Sequence, residues 1–436
     1  MGAVTVEQQK LVLNTFAMLL ENNCVTKDCV TWNQMDKELN DLDGLQVLER
    51  TKPRYNVTRT ENGVKDLTAG TQGTVVGSEL FEVTGTFGSD MGWGDFVAIK
   101  SIGDAVKSEA LKSAATSMAE TIDAYILRKA TFASADWVGD GTTSIDEWVD
   151  AVAAYTRLKE NGVSDNDLSF VINHTDEMKL GDQLIKLPAP TDYAQETYRR
   201  GFDREISGIK SWTTNQLPVL TTGTRATTAE AAINGASQNV NYADVARAGA
   251  SNGLRMTQTL VLDGAGTKTY KAGEVFTIPG VYAYDNRKQA KVSPARLQQF
   301  TVVNDATASG GDVTLTIFPA MIVPGSGAGD NIGINTAHAT VNAAPADNAV
   351  LTFLGAASTD LAPRLLIQKQ ALVVNTAPLI LPASDTAMRR NLRKIPLSVR
   401  MWAHSDFNTG NHGIRFDVAI NANIRDRSRM ARFNGS

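Results

Sequence analysis

Cysteine and histidine are scarce in this chain of 436 residues, with two of the first and four of the second. That shortage removes most metal and nucleophile chemistry at the outset. Cys24 and Cys29 are separated by four residues and have no second pair of donors nearby, so a closed tetrahedral zinc site lacks ligands. Two small apolar thiols are the plainer reading. His174, His338, His404 and His412 fall in no pattern that supplies a nucleophile elbow, a paired base or metal-ligand spacing. Long hydrophobic runs are missing too: none approaches the roughly 18 apolar residues that span a bilayer. The first twenty residues lack a basic start and a small-residue cleavage site, so the chain is expected to emerge in the cytosol with reduced thiols. The sequons at Asn56-Val-Thr58 and Asn173-His-Thr175 carry no weight in that compartment. Bulk positive charge is lacking as well. A net charge of −5 argues against a general nucleic-acid coat that binds through charge alone.

Two further patterns look chemical and are not. Asp136, Asp140-Gly141 and Glu147 sit at the first, fifth, sixth and twelfth positions of a calcium loop, but Val138 occupies a ligand position. Ser144 with Glu147 three residues on reads instead as a capping box that opens a helix over 144–160. Gly325-Ser-Gly327-Ala-Gly329 has the glycines of a phosphate loop without its closing Lys-Ser/Thr or its strand-to-helix context, and reads as a turn. No cofactor and no catalytic set is expected.

What is present is an ordinary folded composition, 42% apolar and 20% charged, in a chain long enough for two or three domains. Its charge is uneven. Arg389 to Arg432 holds ten Lys/Arg against three acids, a local +7 that leaves −12 for the remainder, and the first fifty residues hold eight acids against four bases. An acidic front and a basic tail suit contact between copies or opposite partners at the two ends. The cluster Arg425, Arg427, Arg429 and Arg432 reads either as ion pairing with a neighbouring subunit or as phosphate contact. Asp426, which interrupts it, and the absence of interleaved aromatics favour the first.

Periodicity gives a coarse map. Val12, Leu13, Phe16, Leu19 and Leu20 place an amphipathic helix over 6–20. Residues 54–86 read as a long twisted hairpin, with turn signals at Asn62-Gly63, Gly70, Gly73 and Gly77. A helix over 101–129 carries one apolar stripe through Leu111, Ala115, Met118, Ile122 and Ile126, and at about 1.5 Å per residue would be roughly 43 Å long. Phe170-Val-Ile172 is a short buried strand and 193–200 a brief helix. From 222 to 355 the composition turns to Gly, Ala, Thr, Asn and Val. Strands at 260–262, 274–278, 299–303 and 313–318 there suggest a small antiparallel barrel. Apolar strands follow at 365–367 and 372–374. Ile414 to Ile420 alternates as a half-buried strand with its charges on an open face. A shift of this kind, entered through Leu217-Pro218-Val219-Leu220, marks one domain inserted into another.

The turn Gly201-Phe202-Asp203, the exit Leu217-Pro218-Val219-Leu220 and the β-rich insert with Lys271-Ala-Gly-Glu274 together resemble the major coat protein of short-tailed bacteriophages. The resemblance implies an α+β chain with the tailed-phage (Hong-Kong-phage-type) major capsid fold: N-terminal arm, extended β-hairpin loop, long spine helix, peripheral and axial domains, and an inserted antiparallel β-barrel. On that pattern 1–50 is the arm, 51–100 the hairpin loop and its lead-in, and 101–130 the spine helix. The axial domain takes 131–221 and returns over 356–395, the insert takes 222–355, and 396–436 gives C-terminal peripheral strands. The implied function is an icosahedral shell around double-stranded DNA, built from hexamers and pentamers in the host cytoplasm and incorporated in the virion. Implied partners are the chain itself, a scaffolding protein, a portal protein and packaged DNA without sequence preference, and no membrane. Subunit-contact candidates are Asp244, Arg247 and Arg255 in the polar loop of the insert, with Arg425, Arg427 and Arg429 in the tail. The scaffold contact expected of an acidic N-terminal helix meets Asn14 and Thr15 where acids would stand. Spacing identifies no Lys–Asn pair for covalent cross-linking. Two rival classes remain at this point: a tail, fibre or surface-adhesion protein, and an enzyme with a β-barrel accessory domain. The first would show repeats or heptads and the second a clustered acid/base set, and the sequence has neither.

Overall fold

The computed structural model describes residues 6–35, 46–51, 53–55, 57, 63, 73–94, 109–186, 205–206, 208–225, 231–246, 254–329, 331–381, 386–406 and 411–435. The chain divides into two compact units, each assembled from segments distant in sequence.

The first unit comprises Met1–Val47, Phe81–Lys129 and Leu372–Asn423. Its sheet is organised by the strand Asn411–Ile424, which pairs antiparallel with Ser398–Asp406 on one side and with Thr86–Gly94 on the other. Thr386–Asn391 forms one edge, and Thr31–Gln34 runs parallel to Leu372–Ala377 at the other. The expected open face on 414–420 is open only at Arg415, whose side chain is 54% exposed. Asp417 is 1% exposed, held by Arg400 at 2.7 Å and Arg415 at 2.5 Å. From Phe416 onward both faces are covered: Phe16 of the helix Val6–Asn23 stacks on Phe416 at 3.8 Å, and Ala419 packs with Met35, Val83, Ala377 and Leu379 on the opposite side. A period of two records which side chains share a face, not whether that face meets water.

The helix Val6–Asn23 buries Val12, Leu13, Phe16 and Leu20, the stripe its spacing predicts. The long helix is described from Glu109 to Ala133, and residues 101–108 of the expected span lie outside the described residues. It runs past the expected end because Ala130 and Ala133 prolong the buried stripe. Asp123 interrupts that stripe with a carboxylate 2% exposed. It accepts from Val25 N–H at 2.7 Å, Thr26 N–H at 3.1 Å, the Thr26 hydroxyl at 2.5 Å and Cys24 Sγ at 3.3 Å. Four donors let the carboxylate stay buried, although desolvation raises its pKa. Cys24 is tied to the same acid, and burial together with the neighbouring Asp123 charge pushes its thiol well up.

The second unit comprises Leu48–Leu80, Ala130–Ala371 and Ile424–Ser436. Its mixed sheet runs in the order Asp136–Val138, Met430–Phe433, Arg364–Gln368, Leu168–Ile172, Ile209–Thr213 and Glu205–Ile206. The expected peripheral tail 396–436 is thus split: its last strand pairs with 364–367 and 136–138 in this sheet. The expected return of the axial domain over 356–395 is split too, since Leu372–Ala377 and Thr386–Asn391 belong to the first unit's sheet. In each case one strand ends at a turn and the next finds its partner elsewhere, a choice no local pattern encodes. Helix Trp148–Glu160 lays Ala151, Ala154 and Leu158 on this sheet with Phe170 and Phe433. It starts four residues later than expected. Glu147 is the N-cap, its N–H donating to the Asp150 carboxylate at 3.4 Å, while Ser144 instead accepts from Lys179. The pattern Glu-x-x-Asp caps as Ser-x-x-Glu does, and the expectation picked the wrong one of two overlapping boxes. Arg364 grips buried Asp176 through two bonds at 2.6 and 2.7 Å. The expected helix over 193–200 lies outside the described residues.

Strands Leu220–Thr221 and Asp360–Leu361 pair antiparallel, so the chain between them leaves and returns at one neck. Beyond it stands a six-stranded antiparallel sheet whose end strands, Ala232–Ile233 and Thr352–Phe353, meet through the bridge of Ala232 to Val350 and bonds between Ile233 and Ala349. The sheet therefore closes as a barrel, filled by Leu260, Leu262, Phe276, Phe300, Leu315 and Ile317. Glu274 fastens the neck. One of its oxygens accepts from Gly223 N–H at 2.9 Å and Arg225 Nε at 2.8 Å, and the other from Lys271 N–H at 2.8 Å. Arg225 reaches on to the carbonyls of Gly355 and Ala356 and lies over the Phe353 ring at 4.4 Å. Both side chains of the pair are 1% exposed. Gly223 is required here, since a Cβ would sit 1.9 Å from the Thr269 carbonyl oxygen.

Removing one partner of such a pair strands a buried charge, which costs about 3–5 kcal/mol. Glu274→Ala is expected to destabilise the barrel by that amount in denaturant unfolding. A loss below about 1 kcal/mol, the size of an exposed pair, would show that the neck is held by something else.

Candidate functional site

With no pocket chemistry to build on, the candidate sites are surfaces. Among the described residues no group of His, Cys, Asp and Glu is placed to hold a metal ion, and no helix is long and apolar enough to cross a membrane. Asp140, once a calcium candidate, spends its carboxylate on the Thr143 hydroxyl and on the Thr143 and Thr142 N–H groups at 2.8 Å each, which keeps its pKa low despite some desolvation. Asp136 is buried, with Asn161 donating to it at 2.5 Å.

The tail arginines correct the sequence reading. Arg427 is 6% exposed, with its guanidinium donating to the Ala133 carbonyl at 3.3 Å. Burial pulls its pKa down to about 10 against the opposing charge of Glu79. Arg432 is fully buried over the Trp137 ring at 4.5 Å, donating to the carbonyls of Gly273 and Ser134. Arg425 pairs with Glu49, and Arg429 pairs with Asp426 at 3.1 Å while donating to Gln368 and Gln370. A basic run in sequence is therefore largely consumed inside its own subunit. The sequence signal for this was present but non-local: Glu49 and Glu79 lie some 350 residues away.

In the insert, Asp244 is exposed on the single helical turn Tyr242–Val245 and receives Asn241 Nδ2 at 3.3 Å. Arg255 is half-buried, and Arg247 lies outside the described residues. Gly201, Phe202 and Asp203 also lie outside them. Leu217, Pro218 and Val219 run as irregular chain and Leu220 begins the first neck strand.

Three surface features went unpredicted. Helix Val6–Asn23 leaves Leu11 47% and Met18 55% exposed, seven residues apart on one face. Helix Trp148–Glu160 shows Val149 at 69% and helix His174–Lys186 shows Met178 at 69%. Between the N-terminal helix and the edge strand 386–391 lies a groove of about 450 Å³, with Lys10, Arg389 and Arg390 around Leu13, Leu381 and Met388. Sequence periodicity marks the buried side of a helix and is silent about a second apolar stripe.

Of the two histidines with described side chains, His174 is exposed beside Glu177 at 3.8 Å and His338 is half-buried. His338 stacks on Tyr242 at 3.6 Å, and its Nε2 accepts Arg54 N–H at 3.3 Å, which places the ring proton on Nδ1. Burial, with Arg54 and Arg255 adding repulsion, lowers its pKa from 6.5 to about 4. Between those values the unfolded chain takes up a proton that the folded chain refuses. The stability present above pH 6.5 is therefore lost as pH falls toward 4. His338→Gln, which keeps an acceptor, is expected to flatten the fall in denaturant midpoint between pH 7 and pH 4.5, a window set by that lowered pKa. An unchanged slope would exclude His338 as its source.

Residues 53–430 match the model of the family described as P22 coat protein - gene protein 5. No curated protein sequence matches the chain. Among solved structures it is similar to that of Mycobacterium phage Che8, at 10% identity over 90% of this chain and 85% of that one, with a TM-score of 0.40. It is also similar to the mature capsid of bacteriophage PhiM1, at 8% identity over 93% and 85% with a TM-score of 0.41. A virus-like particle from Pyrococcus furiosus matches at 8% identity over 98% and 99%, with a TM-score of 0.40. The family model spans all but the two ends, and this chain belongs to the P22 coat protein family, a major capsid protein that forms the shell of a tailed bacteriophage.

Proposed function

We propose that the chain assembles, without enzymatic activity, as the hexamers and pentamers of an icosahedral shell around double-stranded DNA. Assembly takes place in the host cytoplasm with the help of a scaffolding protein and a portal protein. Support comes from the outward faces of its helices. Leu11 and Met18, Val149 and Met178 are apolar and exposed in the single chain, which leaves water-facing stripes for a second copy to cover. In this reading the N-terminal segment and the hairpin loop lap onto neighbours, and the inserted barrel, running from the neck at 222 to its return near 355, braces them. Asp244 and Arg247 of the insert's polar loop are proposed to make ion pairs across capsomers. Arg255 of the same loop is proposed to join them, while Arg425, Arg427 and Arg429 are bonded within the subunit. The groove around Lys10, Arg389 and Arg390 suits an acidic segment of the scaffold, because its apolar floor has no use for a phosphate backbone. DNA meets the shell only through diffuse charge.

A fibre or adhesion protein would present rods or trimers. Electron microscopy of the purified protein, with and without a co-expressed scaffold, is expected to show closed shells of uniform diameter. Rods, trimers or small oligomers alone would defeat the proposal. Because Met18 is 55% exposed, Met18→Glu should change subunit stability by no more than about 0.5 kcal/mol. Shell yield should nevertheless fall at least about tenfold, since a charge would be buried at every copy of one contact. Unchanged yield would show that this face of the N-terminal helix meets no neighbour.

A further inference from the structure

The root of the hairpin loop is gripped from two sides by its own subunit. Strands Gln46–Thr51 and Gly77–Glu82 form a two-stranded sheet, from which residues 52–76 depart and return. Hydroxyls of Tyr55 and Thr74 meet at 3.1 Å just beyond it. One side of the grip is the C-terminal turn. Arg425 pairs with Glu49 on the first root strand, and Arg427 faces the buried charge of Glu79 on the second. The other side is the insert. Ser78 N–H donates to the Ala246 carbonyl at 3.2 Å, Arg54 N–H donates to His338 Nε2 at 3.3 Å, and Val75 packs on the cluster of Tyr242, Ala246, Ile322 and Ile334. The fit is close: a Cβ at Gly77 would lie 2.3 Å from Thr51 Oγ1, 2.9 Å from the Ala246 carbonyl oxygen and 3.1 Å from Arg255 Nε.

We propose that the insert and the C-terminal arginine turn form a socket that fixes the direction in which the hairpin loop leaves its subunit, with Glu49, Arg425 and His338 as positioning residues. Two paired strands alone are marginal in water, so the root takes its orientation from whatever holds it. Here that is a rigid barrel fastened at its neck and an ion-pair turn at the end of the chain. The insert then acts on assembly through its own subunit's loop, in addition to any contact it makes with neighbours. This rests on the loop being an assembly arm, and the test reads the socket and the arm separately.

Amide hydrogen exchange of the unassembled full-length chain reads the socket. Glu49→Arg, which puts like charge against Arg425, is expected to speed exchange across 46–51 and 77–82 by about tenfold while the barrel strands 258–263 and 313–318 stay protected. The swap Glu49→Arg with Arg425→Glu should restore protection to within about twofold, which separates a lost ion pair from general unfolding. Shell assembly reads the arm: Glu49→Arg should give shells of mixed diameter, and the swap should recover uniform ones. Root exchange within about twofold of the parent in Glu49→Arg would overturn the socket whatever the shells look like. Fast root exchange with normal shells would leave the socket standing and overturn its role in assembly. Fast exchange in the barrel strands as well would overturn the assignment of these residues to positioning.

Discussion

A carboxylate taken out of water must have its oxygens bonded or it will not stay ionised. Glu274 meets that demand with donors from three places in the chain: Gly223, Arg225 and Lys271. All three must keep their positions together, since losing any one leaves the charge short of a partner. Gly223 cannot be exchanged for a larger residue, and Arg225 also holds the returning chain at Gly355 and Ala356. The insert is therefore attached as a rigid piece, not hung on a linker. Its minor cluster of Tyr242, Ala246, Ile322 and Ile334 lies beyond that neck and packs Val75.

The same device recurs at several other meetings of chain segments. Asp176 with Arg364 joins a helix to a strand 188 residues on, and Asp123 gathers the 24–26 turn from 97 to 99 residues away. Asp417 holds Arg400 and Arg415 within one sheet. Buried pairs of this kind contribute little net stability against apolar replacements, yet breaking one is expensive. They specify which segments belong together. That suits a subunit of a shell, because summing many contacts requires each copy to present the same geometry.

How far the sequence could be read depended on whether a feature was local. The stripes Val12-Leu13-Phe16-Leu20 and Leu111-Ala115-Met118-Ile122-Ile126 gave both helices, since a 3.6-residue period needs no partner to be visible. The barrel strands and the Pro-containing approach to the neck were also visible, as runs bounded by Gly and Asn. Asp417 was misread because alternation shows a strand's two faces without showing that a helix covers one and a second cluster the other. The helix cap was misplaced because Ser144 with Glu147 and Glu147 with Asp150 are equally good boxes, and packing of Ala151 and Ala154 on the sheet chose between them. The partners of the tail arginines were invisible for a different reason: ion pairs across hundreds of residues leave no spacing to detect.

That last error changes what the charge asymmetry means. The sequence reads as +7 over Arg389 to Arg432, as though the C-terminus were a basic tail open to DNA or to a neighbour. Arg400 and Arg415 instead answer Asp417, Arg425 answers Glu49, and Arg429 answers Asp426. Arg427 and Arg432 are closed off altogether. Among the described residues, cations not closed off in this way stand earlier, on the edge strand and its turn at Arg389, Arg390, Arg393 and Lys394, with Lys10 beside the first two. A patch this compact has a reach of about one Debye length, roughly 8 Å at physiological salt. It therefore acts on what touches that edge of the first unit, not as a field spread over a surface. Charge counted along a chain and charge presented by a fold are different quantities, and in this subunit the difference moves the basic patch from the last residues to the margin of a sheet.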